Sequence, residues 1–141
     1  MDILEKINLF ENAFNNAAWP TPKDLETFLH QYIETALWSS TDESDEPMDK
    51  NYGPQDIDSA TLDKMKKDCL DFMRKAGQHI IGMKITNAAH DFWLNRNGHG
   101  AGFWDGDWPE VEGKTLDKLS ESFGTFDLYV GDDGKIHGGS F

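Results

Sequence analysis

Ala89-His90-Asp91-Phe92-Trp93-Leu94-Asn95-Arg96-Asn97-Gly98-His99-Gly100-Ala101-Gly102-Phe103-Trp104-Asp105 is the stretch on which the fold turns. Aromatic residues flank Asn97-Gly98-His99-Gly100, and an Asn-Gly pair readily supplies the positive φ angles that close a two-stranded turn. This reading predicts a β-hairpin with strands at 92–96 and 101–104. Facing residues on paired strands sit within about 4.5–5.5 Å at Cβ. His90, Asp91, Arg96, Asn97, His99 and Asp105 would then converge on one polar patch, with Trp93 and Trp104 beside it. Downstream, Val111, Leu116, Leu119 and Phe123 are spaced for a helix that stops before Gly124. Phe126 to Val130 and Lys135 to His137 then form a second hairpin about Asp133-Gly134. Three to five antiparallel strands packed on helices are expected.

Upstream, the chain reads as helical. Ile3, Leu4, Ile7, Phe10 and Phe14 recur at three- and four-residue steps, which predicts a helix from Asp2 to about Asn16, ended by Trp19-Pro20. Thr21 stands as the N-cap of a second helix, with Pro22 at a position that needs no N–H and Asp24 in the acidic first turn. Its stripe of Leu25, Phe28, Leu29, Tyr32, Ile33, Ala36 and Leu37 fades at Trp38. From Ser39 to Asp58 there are seven carboxylates, two prolines and no apolar period, so a solvated, mobile connector is expected. A long helix follows, capped by Asp58 or Ser59 and stopped by Gly77. Leu62, Met65, Cys69, Phe72, Met73 and Ala76 share one face, and Lys64, Lys66, Lys67, Arg74 and Lys75 lie mostly off it. Ile80, Ile81, Met83 and Ile85 fit a short strand and a helical piece equally well.

The resulting class is α+β in one domain, 1–141: a helical pair over 1–38, an acidic connector over 39–58, and a helix plus hairpin, helix and hairpin over 59–141. A chain of 141 residues buries roughly 68–70% of its unfolded surface, so it needs no disulfide scaffold. The single cysteine, Cys69, and the lack of a leader pattern at the start predict a reducing cytoplasm. No apolar run is long enough to span a bilayer, and a net charge of -13 disfavours an anionic membrane surface. Thirteen basic residues against 26 acidic ones also argue against direct nucleic-acid binding. A protein that itself binds nucleic acid is a better partner, since its basic groove attracts a surface of this sign.

Two motifs together are not generic: the quoted stretch, and Asp127-Leu128-Tyr129-Val130-Gly131-Asp132-Asp133-Gly134. They resemble a widespread, largely uncharacterised family of small acidic proteins of tailed bacteriophages and prophages. The likeness runs from about Asp49 to His137, takes in Asn51-Tyr52-Gly53 and the Asp68 to Phe72 part of the long helix, and departs at Asn95, where threonine is expected. It implies a phage accessory protein acting in the host bacterial cytoplasm on host metabolism or defence. It supplies no catalytic residue.

Read residue by residue, a histidine beside a carboxylate is the usual general base, and Arg96 is suited to hold an anion. The competing reading makes Asn97, Gly98 and Gly100 turn residues, pairs Arg96 with Asp91 or Asp105, and leaves the histidines structural. A metal centre from His90, His99, Asp105 and Asp107 lacks the spacing of known zinc sites, and neither Asp-Gly segment completes a calcium loop. No metal or cofactor is expected. Trp93, Phe103, Trp104 and Trp108 are many large rings for one hairpin face, so either some form a contact surface or helices cover both faces. The expectation is a non-enzymatic protein that binds and modulates a host protein, nucleic-acid mimicry included. The contact residues would be His90, Asp91, Trp93, Arg96, Asn97, His99, Trp104 and Asp105. A small enzyme or ligand-binding protein using the same hairpin is the alternative, and homo-oligomerisation stays open.

Overall fold

The computed structural model describes residues 19–80, 85–98, 102–103 and 108–140. The helix expected over 2–16 lies outside these residues, as do His99, Trp104, Asp105 and Asp107. The class is α+β: helices α1 (Pro22–Ser39), α2 (Met48–Asn51), α3 (Ser59–Ala76), α4 (Ile85–Arg96) and α5 (Glu110–Ser122) precede strands β1 (Asp127–Val130) and β2 (Ile136–Gly139). The strands pair antiparallel with Leu128 opposite Gly138 and Tyr129 opposite His137. They are the two strands of the sheet among the described residues.

α1 starts as its sequence dictates. The Thr21 hydroxyl accepts from the Asp24 N–H at 3.0 Å, and the Asp24 carboxylate accepts from the Thr21 N–H at 3.3 Å. This reciprocal cap satisfies two helix-end donors. Asp58 caps α3, and Gly77 ends it at φ 49°. Of the segment left undecided, Ile80 follows a short 3-10 turn and is buried, while Ile85 opens α4.

The first predicted hairpin is not formed: residues 92–96 are the last part of α4. Ile85, Ala88, Ala89, Phe92, Trp93 and Arg96 also fit the three- and four-residue steps of a helix. Asn-Gly serves here as a helix terminus. Gly98 takes φ 67°, where a side chain would be strained, and its N–H reaches the Asn95 carbonyl at 3.3 Å. Asn97 donates to the Trp93 carbonyl at 3.1 Å and accepts from the Phe126 N–H at 2.8 Å, tying the helix end to the approach to β1. Positive φ closes hairpins and ends helices alike, so the dipeptide alone cannot choose between them.

The acidic connector also differs from expectation. Thr41 and Pro47 form an isolated bridge, Met48 is fully buried in α2, and the Asp42 carboxylate accepts from the Ser44 N–H, the Glu46 N–H and Asn51 Nδ2 at 2.8, 3.1 and 3.1 Å. The charge that suggested solvation thus organises a turn around one inward carboxylate. These bonds, with that from Asn51 foremost, hold the Asp42 pKa below the ordinary carboxylate value. A folded-state pKa lowered in this way contributes stability above the unfolded value and loses it as pH falls through the folded one. Asp42→Ala is therefore expected to unfold at lower urea concentration at pH 7. Its deficit should shrink steadily once the pH drops below about 4; a pH-independent deficit would show that the carboxylate charge is not what matters.

The core lies between α1, α3, α4 and α5. Phe72 and Phe92 stack at 4.1 Å, and Phe28, Tyr32, Phe103 and Phe123 pack around them. α5 sits close because Gly113 has no side chain: a Cβ there would lie 2.6 Å from the Phe103 carbonyl oxygen. Alanine favours a helix interior over glycine by about 1 kcal/mol, but backbone contact of this kind costs about 1–3 kcal/mol. Gly113→Ala is accordingly expected to lower the thermal midpoint, and a raised midpoint would show that α5 moves freely.

Candidate functional site

α4 carries four of the eight residues singled out from the sequence, His90, Asp91, Trp93 and Arg96, and a helix distributes them differently from a hairpin. Asp91, Trp93 and Arg96 are buried, Asn97 is half-buried and engaged as described, and His90 is half-exposed. They therefore do not share one exposed patch. α4 is covered by α1 on one side and α5 on another, which is the arrangement in which helices seal both faces of the aromatic segment.

Arg96 does not pair with Asp91, and Asp105 lies outside the described residues. It reaches into the core, where Nη1 donates to Asp68 Oδ2 at 2.9 Å and to the Tyr32 hydroxyl at 3.0 Å. Nε donates to the Gly124 carbonyl at 2.8 Å, and Nη2 to that of Phe123 at 3.1 Å. The guanidinium also lies over the rings of Phe92, Phe123 and Phe126. The second oxygen of Asp68 accepts from Lys64 at 2.8 Å. Burial pushes the Tyr32 hydroxyl far above the usual tyrosine range against the pull of Arg96, so it stays protonated. This network is a structural hub that engages four of the five N–H donors of Arg96.

Two indoles are anchored in the same way. Trp93 Nε1 donates to the Ser39 hydroxyl at 2.8 Å, and Trp108 Nε1 donates to Asp91 Oδ2 at 2.7 Å. Asp91 Oδ1 lies 3.0 Å from His90 Nδ1. With Asp91 as acceptor there, neutral His90 carries its proton on Nδ1 and presents the Nε2 lone pair. The imidazole stacks on Trp38, with centroids 5.9 Å apart and planes at 30°. Trp38 is 44% exposed. Among the described tryptophans its indole N–H alone makes no hydrogen bond.

The surface that survives is thus Trp38 on His90, with His90 held by Asp91 and Asp91 held by Trp108. Trp38 is the member that sequence reasoning passed over. Its signal was positional: it follows the end of the α1 stripe instead of belonging to it. Two surface hollows lie elsewhere. One of about 370 Å³ is lined by Lys23, Glu26, Thr27, His30, Gln31 and Thr86; one of about 260 Å³ lies where α3 meets β2 and includes Lys64 and Phe126. None of the predicted site residues among the described ones lines either. Among the described residues no group of three or more His, Cys, Asp or Glu side chains is placed to hold a metal ion, and no helix is long and apolar enough to cross a membrane.

Lys64 and Lys67 pair with Asp68 and Asp71 one turn along α3, both at 2.8 Å. Lys75 lies over the Phe123 ring at 5.3 Å. Compared with known families, curated proteins and solved structures, the chain matches none.

Proposed function

We propose that this chain is a phage-encoded acidic accessory protein that works in the host bacterial cytoplasm by binding and modulating a basic host protein, one that handles nucleic acid being the favoured kind. The observation that carries the reading is Trp38: a large, half-exposed ring with a free indole N–H, braced by His90, at the edge of the segment where carboxylates are most densely spaced. An aromatic anchor supplies contact energy, and the surrounding carboxylates supply attraction and selectivity for a basic surface. The net charge of -13 supports the same direction.

The test is capture of host proteins on the immobilised chain at low and then raised salt, beside a Glu43→Lys, Asp45→Lys, Glu46→Lys protein. Retention of a basic protein that falls with salt and is lost in the lysine variant is expected. If wild type retains nothing at either salt, or the variant retains the same protein equally well, the reading fails.

One observation favours the alternative of a small enzyme or ligand-binding protein. A half-exposed histidine oriented by a buried carboxylate, itself fixed by an indole N–H, is the arrangement of a positioned general base. That reading predicts a bound small molecule whose signal in ligand-observed NMR disappears with His90→Ala but persists with Trp38→Phe.

A further inference from the structure

We infer that Trp38 is a receptor for an arginine side chain of the partner, taking the guanidinium on the indole face turned away from His90. The inference rests on the reading of a basic partner given above and adds the group that is recognised.

Three features of the surface lead there. First, the platform is built before anything binds. His90 covers one face of the indole, Asp91 holds His90 at 3.0 Å, and Trp108 holds Asp91 at 2.7 Å. A contact on a ring already braced in this way loses little side-chain entropy. Second, the surroundings are of one sign. From Gln31 to Pro47 the chain has five carboxylates and no lysine or arginine. Asp42 is consumed by its own turn, and Glu46 is paired with Lys50. Glu34 and Asp45 remain exposed, as does Glu43, which keeps its charge while accepting from the Tyr52 hydroxyl at 2.8 Å. Glu34 stands four residues before Trp38 on α1, and therefore on the same helix face one turn away. Third, α4 adds no competing cation among its described residues: His90 is the one that stacks on Trp38, and its single arginine, Arg96, is buried.

An aliphatic partner surface laid on this patch would strand those carboxylates without counter-charges. A cation satisfies ring and carboxylates together. Arginine fits better than lysine because its guanidinium is planar and weakly hydrated, stacks on an indole, and can fork onto a carboxylate such as Glu34 at the same time.

The test uses the full chain and three fluorescent peptides: alternating Arg-Gly, the same with lysine, and the same with citrulline. Fluorescence anisotropy should rank arginine above lysine, with citrulline not bound. Trp38→Ala should weaken the arginine peptide roughly two- to thirtyfold, Trp38→Phe should restore part of that loss, and the lysine peptide should lose less. Because Trp38 is outside the core, an unchanged urea midpoint is expected to accompany the loss. Should Trp38→Ala bind the arginine peptide as tightly as wild type, the receptor is not at Trp38, while salt-sensitive capture of a basic protein would still sustain the broader reading. Should wild type bind no peptide at all, the arginine receptor likewise falls, and the broader reading then stands or falls on the salt-sensitive capture alone.

Discussion

Arg96→Met is expected to remove a large part of the stability of the fold, with urea unfolding at pH 7 shifted by the equivalent of about 3–5 kcal/mol. Methionine fills much of the same space, so packing alone would predict a small change. The loss comes from what the guanidinium leaves behind. Asp68 would remain buried with only the half-exposed Lys64 as a counter-charge, and the Phe123 and Gly124 carbonyls and the Tyr32 hydroxyl would each lose a donor. Against a total stability of about 5–15 kcal/mol for an ordinary domain, that is a major fraction. Arg96→Lys should fall between the two, since an ammonium cannot present the planar fork that reaches all four acceptors. A second measurement separates charge burial from general damage. Adding Asp68→Leu to Arg96→Met removes the orphaned carboxylate, so the double variant should be more stable than the sum of the two single losses implies. Simple additivity, or an Arg96→Met midpoint no lower than that of a substitution at exposed Lys66, would refute the network.

Phe92→Ala should have an effect of similar size, about 3–5 kcal/mol, because the ring is at the centre of the aromatic cluster. It stacks on Phe72 at 4.1 Å, meets Phe123 edge-on at 5.1 Å, and contacts Tyr32 at 5.4 Å. The Arg96 guanidinium lies 5.4 Å above it. Two terms are removed together, the buried ring with its cavity and the cation–π contact, so Phe92→Ala and Arg96→Met should not add in a double-mutant cycle. Phe92→Leu should cost less, since it leaves much of the volume filled. Amide hydrogen exchange gives an independent check on the local structure. In a helix over Ile85–Arg96 the amides of Phe92, Trp93 and Leu94 are bonded four residues back and should be among the slowest to exchange. Fast exchange there, with a small loss for Phe92→Ala, would remove both the helix and the hub built on it.

The difference between expectation and structure in this segment has a definite origin. Asp91, Phe92, Trp93, Leu94, Asn95 and Arg96 are all buried. This second half of the helix is enclosed on several sides and shows no exposed polar face, so its run of aromatic residues beside Asn-Gly imitates a strand and a turn. The acidic stretch misled for a related reason. Composition counts Asp42 as one more solvated charge, whereas its oxygens take two backbone N–H groups and the Asn51 amide. Where a pattern rests on local chemistry, expectation and structure agree. Thr21 and Asp24 cap α1, Gly77 stops α3, and the strands about Asp133-Gly134 pair as read. The surface around Trp38 was beyond sequence reading, because nothing local says that the end of α1 meets His90 of α4.

By itself the sequence determined the α+β class, the two long helices with their caps, the C-terminal hairpin and the strongly negative charge, since each follows from neighbours a few residues apart. Only the tertiary structure decided that Arg96 faces Asp68 across 28 residues and that Trp93 reaches back 54 residues to Ser39, leaving Trp38 outside. Burial is a property of what packs against a side chain. Arginine, tryptophan and aspartate go inward when distant parts of the chain bring them partners, and no window of local sequence contains those partners.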